Sequence, residues 1–296
     1  MVKKVRNRKK KIKISQILIW SVLSVFAAVC LYPLLNIVAR SFSSASAIDN
    51  HPGMLIPQSF TLEAYKYLFH TPLLTRSFAL TAFITVVGTM LAMALTVTCA
   101  YAISRVHAPG YKIMMWIVVI PMMFGAGIVP SFILLSNLNL LDTILVQIIC
   151  GAFGPMNAIL MRNFFWSIPE SLEESAKLEG AGELTVLTRI ILPLSKPVMA
   201  TICLFYAVGY WNDYFKGLFY IFDNEKWPLQ MVVKAIVMDS NMSGMASTTV
   251  NEATRVIQTQ NIQTACIFLS MLPILCIYPF LQKYFSSGLI VGAVKG

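Results

Sequence analysis

The sequence predicts an all-α integral membrane protein, and two observations carry this prediction. Hydrophobic residues make up 57% of the 296-residue chain and charged residues only 12%, whereas soluble domains carry about 25% charged residues. The apolar residues also form long runs, each near or above the roughly 20 residues that a helix needs to cross a bilayer. This composition excludes a disordered chain, a disulfide-stapled secreted scaffold and a soluble nucleic-acid-binding domain.

The apolar runs predict six membrane-spanning helices. We place them at 14–39, 77–104, 112–135, 142–162, 197–221 and 258–282. The first run is too long for the apolar region of a cleavable signal peptide, and no small-residue cleavage site closes it. It is therefore expected to remain in the protein as the first span.

The net charge of +10 is concentrated at one end of the chain, where eight of the 23 Lys and Arg residues lie within positions 1–13. A basic cluster beside an apolar span sets membrane orientation and contacts lipid headgroups. With the N-terminus inside, the predicted cytoplasmic segments hold sixteen basic residues and the external segments seven. The positive-inside rule then predicts that both termini are cytoplasmic.

This topology defines the predicted organisation of the chain. Its parts are a basic cytoplasmic tail (1–13), a six-helix transmembrane domain (14–285) with long external loops at about 41–75 and 222–257, and a cytoplasmic C-terminal tail (286–296). Among the predicted cytoplasmic loops only 163–196 is long, and five of the chain's thirteen acidic residues fall in it. Such a loop requires an explanation beyond joining two helices.

Cysteine and histidine patterns do not favour a metal, redox or catalytic site. The six cysteines lie inside apolar runs without a C-x-x-C pair, which is typical of buried small apolar side chains. The three histidines, His51, His70 and His107, are scattered among predicted loops. We therefore expect no metal, no cofactor and no catalytic residues in this chain.

The long cytoplasmic loop has the pattern of two helices joined by a turn. Ser167 and Glu170 form a capping-box pattern, which predicts a first helix at about 169–179. Glycines at 180 and 182 predict the turn, and a second helix at 183–191 is expected to end before Pro193. Its glutamates favour docking into a groove of a cytoplasmic partner. The alternative is an amphipathic helix resting on lipid headgroups, although such helices usually present Lys and Arg.

The same loop resembles the EAA loop found in the membrane subunits of ATP-binding-cassette (ABC) importers. That motif reads E-A-A, three residues, G, nine residues, I-x-L-P. Here Glu174-Ser175-Ala176 is followed at the same spacing by Gly180 and by Ile190-Ile191-Leu192-Pro193, with Ser175 replacing the first alanine. The ending 288–296, GLIVGAVKG, is similar to that of MalG-like permeases of carbohydrate importers, particularly the subgroup that handles oligosaccharides and uronate-containing glycans.

The resemblance implies a type I ABC importer permease fold and a heteromeric pump in the bacterial cytoplasmic membrane. The implied partners are a second permease subunit, two ATPase subunits that bind ATP and Mg²⁺, and an extracellular solute-binding protein. The resemblance also implies that the C-terminal tail reaches the ATPases. Residues on the implied ATPase-coupling surface are Glu174, Ser175, Ala176, Gly180, Ala181, Ile190, Leu192 and Pro193.

The fifth predicted span carries the candidate solute pathway, Trp211-Asn212-Asp213-Tyr214. Aromatic faces stack on sugar rings, while a carboxylate and an amide bridge hydroxyl groups, and ionisable groups within spans are costly unless functional. The resemblance adds that the family tends to carry a W-N pair here. Three alternatives stay open: an interfacial aromatic belt, an Asp213–Lys216 pair, and helix packing.

The interpretation as a sugar importer permease has rivals. The chain contains no G-x-x-x-x-G-K-[ST] motif, so we expect the ATPase to be a separate polypeptide. An ABC permease for a non-sugar solute is the first alternative. An ion-coupled secondary transporter is less favoured, because it calls for paired carboxylates and commonly internal repeats.

Overall fold

The computed structural model describes residues 14–238 and 260–279. The predicted basic tail (1–13), the C-terminal tail (286–296) and much of the second external loop lie outside the described residues. Within them, backbone pairing of the β type is limited to one isolated bridge between Ser43 and Phe60. The prediction of an all-helical architecture is therefore confirmed for this part of the chain.

Besides a short 3-10 helix at Asn224–Lys226, the described part of the chain forms fourteen helices of very different lengths. They are α1 (Ile14–Ser41), α2 (Ala45–Asn50), α3 (Glu63–His70), α4 (Pro72–Ser104), α5 (Tyr111–Met123), α6 (Ile128–Asn137), α7 (Ile144–Ile149), α8 (Pro155–Phe165), α9 (Glu170–Leu178), α10 (Glu183–Leu194), α11 (Lys196–Trp211), α12 (Phe215–Tyr220), α13 (Leu229–Met238) and α14 (Gln260–Pro279).

Three of these helices, α1, α4 and α14, are long and apolar enough to cross a membrane. They correspond to the predicted spans at 14–39, 77–104 and 258–282. Two bent pairs, α5 with α6 and α10 with α11, each pass the same test as one broken span, which raises the number of candidate spans to five among the described residues. The chain is thus a multi-pass membrane protein.

The predicted third and fourth spans are not continuous helices. Between α5 and α6 the axis turns by 119°, at a break where Gly127 has φ +80, a conformation that glycine adopts readily. Between α7 and α8 the chain leaves the helix at Cys150 and re-enters it at Pro155, whose fixed φ suits a first helical position. Unbroken helices at 112–135 and 142–162 were therefore wrong predictions.

Two tyrosines of α11 form hydrogen bonds with backbone groups at the break between α7 and α8. The Tyr210 hydroxyl donates to the Ile148 carbonyl at 2.7 Å, and the Gly154 N–H donates to the Tyr206 hydroxyl at 2.9 Å. A Cβ on Gly151 would lie 2.8 Å from the Tyr210 ring, so only glycine admits the ring at this position. Backbone groups freed within a membrane need such partners, and α11 supplies them.

The fifth predicted span also ends early. Its helix, α11, stops at Trp211, and the Asp213 Oδ1 accepts the backbone N–H of Lys216 at 3.1 Å where α12 begins. Aspartate side chains compete in this way with the helical pattern of backbone bonds. The prediction of one helix over 197–221 is therefore wrong, and the break falls at the candidate solute pathway.

The chain divides into two compact units, of which the first comprises Met1–Tyr67 and Ser240–Phe268. Its described part is tied together around the end of α1. The Asn261 amide donates to the Ser43 carbonyl at 2.7 Å, and the Ser43 hydroxyl accepts the Gln58 N–H at 2.9 Å. The Arg40 guanidinium donates to the Gln260 side-chain oxygen at 2.8 Å.

The second unit comprises Leu68–Asp239 and Leu269–Gly296. Its core forms where α4, α8, α10 and α11 pack together, with Ala92, Met161, Val186, Ile191 and Ile202 each at most 1% exposed. Helix α10 of the long loop and helix α11, which ends at the candidate solute pathway, both contribute residues to this core. The structure therefore places the two predicted functional regions on one packed body.

Candidate functional site

The long loop forms two helices joined by a glycine turn, as predicted. Helix α9 ends in a Schellman arrangement, in which the Ala181 N–H donates to the Ala176 carbonyl at 2.9 Å and the Gly180 N–H donates to the Lys177 carbonyl at 3.0 Å. Gly180 has φ +84, a left-handed conformation that other residues adopt only at a cost. The turn between the two helices therefore depends on this glycine.

Two details of the predicted loop are wrong. The capping box does not form, because the N-cap of α9 is Pro169 and the Ser167 hydroxyl donates instead to the Phe164 carbonyl at 2.6 Å. Helix α10 also continues past Pro193, since Leu187–Ile191 form a π-helical turn. A π-helical turn moves the backbone bonds by one residue and accommodates the missing N–H of proline.

The resemblance-implied coupling residues divide into an exposed set and an inward set. Glu174, Ser175, Gly180 and Pro193 are exposed. The inward set packs against the core of the second unit and consists of Ala176, Ala181 and Leu192. Ile190 is half-buried. The structure therefore brings these residues onto one helix–turn–helix, but only the first set is available to a partner.

Two leucines beside the turn were not identified from the sequence. Leu178 is 90% exposed and Leu184 is 75% exposed, and they flank the glycine turn on either side. Apolar side chains at the tip of a charged loop are the signal that could have found them, because exposed apolar groups mark interaction surfaces. They add an apolar contact to the glutamate-rich surface.

An ionic network ties the loop to the end of α4. The Arg105 guanidinium, just past α4, forms an ion pair with Glu173 of α9 and donates to the Tyr101 hydroxyl at 2.6 Å. The Tyr101 hydroxyl also contacts the Glu183 carboxylate, which pairs with the Lys177 ammonium at 2.6 Å. Both helices of the loop are thereby attached to one long helix.

The charges of this network stabilise one another. Burial opposes the charged form of Arg105, but the bonds to Glu173 and Tyr101 outweigh it and raise the arginine pKa. The Lys177 ammonium, followed by the Tyr101 hydroxyl, lowers the pKa of the Glu183 carboxyl. Both groups therefore remain charged at neutral pH, and the brace between loop and α4 persists.

A second cation fastens α8 against the same end of α4. Arg162 is 7% exposed, and its Nε donates to the Ile103 carbonyl at 3.0 Å. Its guanidinium also bonds to the Tyr111 hydroxyl at 2.6 Å and lies 3.4 Å from the Trp166 ring centroid. A cation at a helix C-terminus is favourable. Arg162 is the last residue of the predicted fourth span, and no local pattern in the sequence indicates this role.

Trp211 of the candidate solute pathway is a packed side chain in this structure. It is 6% exposed, and its indole N–H donates to the Ser270 carbonyl at 2.8 Å. Its ring meets Phe78 of α4 edge to face, with centroids 5.3 Å apart. This surrounding leaves the Trp211 ring no free face for stacking on a sugar.

Asp213 forms the ion pair that the sequence offered as an alternative, since its carboxylate contacts the Lys216 ammonium. That ammonium also lies 5.1 Å from the Tyr210 ring centroid. The charges of Asp213 and Lys216 are therefore matched within the chain. This pairing favours a structural role for both residues at the helix break.

Asn212 and Tyr214 have different surroundings, because helix α13 meets them with polar groups. The Gln230 amide donates to the Asn212 side-chain oxygen at 3.4 Å, and the Lys234 ammonium donates to the Tyr214 hydroxyl at 2.5 Å. Asn212 and Lys234 are exposed. We call Asn212, Tyr214, Gln230 and Lys234 the Lys234 cluster, which unites two predicted residues with two that sequence reasoning missed.

A third charged region joins two predicted external segments. The Asp142 carboxylate accepts the backbone N–H groups of Phe222 and Asp223 at 3.1 and 3.0 Å, and the Lys226 ammonium at 3.0 Å. The Asp223 N–H and then Lys226 lower the pKa of the Asp142 carboxyl. This aspartate has φ +56 and holds the 222–226 segment against the start of α7.

Known proteins share this architecture over nearly the whole chain. The family described as binding-protein-dependent transport system inner membrane component matches residues 92–291. The chain belongs to this family. The match covers the long loop, the helix break at 211–214 and α13, and it confirms the family to which the loop motif pointed.

Two curated relatives from Bacillus subtilis (strain 168) align with most of the chain. Protein LplC is 44% identical over 269 residues, which cover 91% of this chain and 90% of LplC. The polygalacturonan/rhamnogalacturonan transport system permease protein YtcP is 39% identical over 291 residues, covering 97% of this chain and all of YtcP. By its name, YtcP is the permease protein of a polysaccharide transport system.

Two solved structures have the same fold. A chain of a bacterial ABC transporter that imports the acidic polysaccharide alginate superposes with a TM-score of 0.83 at 34% identity, covering 92% of this chain and 96% of that chain. A chain of a bacterial alginate ABC transporter in complex with an alginate pentasaccharide-bound periplasmic protein gives a TM-score of 0.58 at 16% identity. The type I ABC permease fold predicted from the EAA resemblance is thus confirmed.

Proposed function

We propose that this chain is the permease subunit of an ATP-driven ABC importer that carries an acidic oligosaccharide across the bacterial cytoplasmic membrane. Six spans would cross the membrane, with the broken helices α5–α6, α7–α8 and α10–α11–α12 completing the set and both termini cytoplasmic. The observation that carries the proposal is the exposed helix–turn–helix braced to α4. A loop of this form is suited to receive motion from a separate ATPase.

The proposed pump contains three kinds of partner. This permease pairs with a second permease, receives solute from an extracellular binding protein, and rests on two ATPase subunits that bind ATP and Mg²⁺. Glu174, Ser175 and Gly180 contact the ATPase together with Leu178 and Leu184. Closure of the ATPases displaces α9, and the Arg105–Glu173 pair passes this displacement to α4 as a rigid-body movement.

Support for an acidic cargo comes from the relatives of higher identity. The name of the 39% identical relative specifies polygalacturonan and rhamnogalacturonan, and the 34% identical structure imports alginate. Permeases named for arabinooligosaccharides, maltodextrin or galactooligosaccharides are only 27–28% identical. We therefore assign a uronate-containing glycan as the cargo class.

Within the candidate pathway, we assign solute contact to Asn212 and Tyr214 rather than to Trp211 and Asp213. The first two are joined to other polar groups of the Lys234 cluster, and Asn212 is exposed. The latter two are accounted for by packing and by an internal ion pair. Sugar hydroxyl groups would then meet an amide and a phenol at the break in α11.

The coupling proposal is tested by charged substitution of the exposed leucines. The variants are Leu178→Glu and Leu184→Glu, with Leu62→Glu, 44% exposed in a predicted external loop, as the matched control. Each tagged chain is purified from its native membrane in mild detergent, and co-eluting proteins are identified by mass spectrometry. We expect the loop variants to lose the ATPase but keep the second permease.

The control should retain both partners. A wild-type chain that elutes without any ATPase, yet transports on reconstitution, would contradict the proposed pump and favour a secondary transporter. Retention of the ATPase by both loop variants would leave the pump intact but remove the two leucines from its coupling surface.

A further inference from the structure

Helix α13 is largely apolar but carries one cation, Lys234. Leu229, Val232 and Val233 are buried, whereas Gln230 and Lys234, four residues apart, share the opposite face of the helix. Lys234 is exposed on that face. An ammonium group on the open face of an apolar helix requires either a polar partner or water.

The depth of α13 follows from its contact with α4. The Leu229 N–H donates to the Thr81 hydroxyl at 2.8 Å, and Thr81 lies about 14 Å along a helix of about 50 Å at 1.5 Å rise per residue. The start of α13 therefore lies within the length of a candidate spanning helix rather than beyond its end. Helix α13 is thus held alongside α4, and Lys234 follows five residues after this contact.

The Lys234 charge is not neutralised within the described chain. Its ammonium donates to the Tyr214 hydroxyl at 2.5 Å and lies 4.3 Å from the Tyr214 ring centroid, and both contacts fix its position. Across residues 14–238 and 260–279, no carboxylate forms an ion pair with it. An ammonium has three donors, so donors remain for an anionic ligand.

The amide groups of the same cluster complete the arrangement. Gln230 Nε2 lies 3.4 Å from both the Asn212 side-chain oxygen and the Trp211 carbonyl. This holds the Asn212 amide on the same side of the helix break as Lys234. A fixed cation beside primary amides matches a sugar unit that carries one carboxylate and several hydroxyl groups.

We propose that Lys234 is a specificity-determining residue that binds the carboxylate of a uronate unit, while Asn212 and Gln230 bind its hydroxyl groups. The inference deepens the proposed function and rests on it. Tyr214, to which solute contact is assigned above, also positions Lys234, because its hydroxyl and ring hold the ammonium over the helix break. The charge of the cargo is thus recognised within the permease as well as by any binding protein that delivers it.

The proposal is tested in proteoliposomes that contain the complete transporter with its binding protein. The probe is an oligogalacturonate, and the variants are Lys234→Met, which removes the charge at similar length, and Lys234→Arg, which keeps it. A charge-assisted contact predicts that Lys234→Met lowers uptake at subsaturating probe by about tenfold or more. Lys234→Arg should retain most of the wild-type rate.

A second measurement reports the contact directly. Carbodiimide treatment of the complex with bound oligogalacturonate should couple the Lys234 amine to a uronate carboxyl, which mass spectrometry detects as an adduct on the Lys234 peptide. Lys234→Arg should give no adduct at that position. A neutral oligosaccharide should also give none, because it lacks the carboxyl.

The outcomes separate this inference from the proposed function. Wild-type uptake of oligogalacturonate with an unchanged rate in Lys234→Met, or with adducts at other lysines only, would overturn the role of Lys234 and leave the importer standing. A wild-type complex that hydrolyses ATP but transports no acidic oligosaccharide would overturn the cargo class itself. Equal loss in the Met and Arg variants would assign Lys234 to folding rather than to charge recognition.

Discussion

The long loop at 163–196, here called the coupling loop after its proposed function, and the Lys234 cluster share one structural arrangement but differ in how its charge is paired. In both, a helix stops and a cation lies over a tyrosine, with Arg105 4.4 Å from the Tyr101 centroid and Lys234 4.3 Å from the Tyr214 centroid. Arg105 also pairs with Glu173, whereas Lys234 has no carboxylate partner in the described chain. The matched charge of Arg105 braces two elements, whereas anion binding is proposed for the unmatched charge of Lys234.

The largest expected effect comes from breaking the turn of the coupling loop with Gly180→Val. The φ of +84 at Gly180 costs a non-glycine residue about 1–2 kcal/mol, and a β-branched one more. We expect uptake in proteoliposomes to fall by about tenfold or more, while the amount of chain in the membrane stays unchanged. ATPase activity stimulated by loaded binding protein should fall in parallel.

Gly182 offers a matched control for this change. A Cβ at either glycine meets no atom within 4 Å, but Gly182 has φ −74, which valine adopts without strain. Gly182→Val should therefore transport far better than Gly180→Val. Equal loss in the two variants would show that added bulk at the ATPase surface, and not the backbone of the turn, is responsible.

The next largest effect is expected from reversing the charge of Arg105, which joins the loop to α4. Arg105→Glu places a second carboxylate beside that of Glu173, and like charges at this distance repel. We expect transport per ATP hydrolysed to fall several-fold while the ATPase still co-purifies. The double variant Arg105→Glu/Glu173→Arg should recover part of the ratio, and no recovery would mean that the pair does not transmit motion.

The sequence predicted the helices and turn of the long loop better than the helix break at 211–214, for a physical reason. Helix ends and glycine turns are local, so Gly180 and the two flanking helices could be placed from neighbouring residues alone. The π-helical turn at Leu187–Ile191 could not, because packing of Val186 and Ile191 into the core carries the helix through Pro193. Tertiary contacts therefore determine where α10 ends, which is the helix boundary of this loop that local rules misplaced.

The breaks in the spans were missed for a similar reason. Apolar runs indicate which residues leave water but not where a helix stops, and the stop at 150–154 depends on Tyr206 and Tyr210 from a distant helix. The same limit applies to the Lys234 cluster. Nothing local to Tyr214 indicates that a lysine twenty residues later donates to it.

A smaller effect is expected from Trp211→Phe, which tests where the Lys234 cluster ends. The change removes the indole N–H that donates to the Ser270 carbonyl, and loss of one such hydrogen bond costs about 0.5–1.5 kcal/mol. The unfolding temperature of the purified complex should fall, while the probe concentration for half-maximal uptake should not change. A large rise in that concentration would return Trp211 to the solute pathway.

The smallest effect is expected at Asp142, whose partner Lys226 is the carboxylate-matched counterpart of Lys234. Asp142→Asn leaves Lys226 with the carboxylate of Asp223 at 3.4 Å and the backbone carbonyl of position 142. It should lower the unfolding temperature of the complex by about 1–3 °C at neutral pH. Because folding lowers the pKa of Asp142 below its usual 3.8, its contribution is complete above that pH and is lost as pH falls through the lower folded value. The difference between wild type and variant should therefore persist from pH 7 to about pH 4 and disappear below it. A difference that vanished near pH 6 would point to a histidine instead. Lys226 could then no longer serve as the carboxylate-paired lysine with which Lys234 is compared.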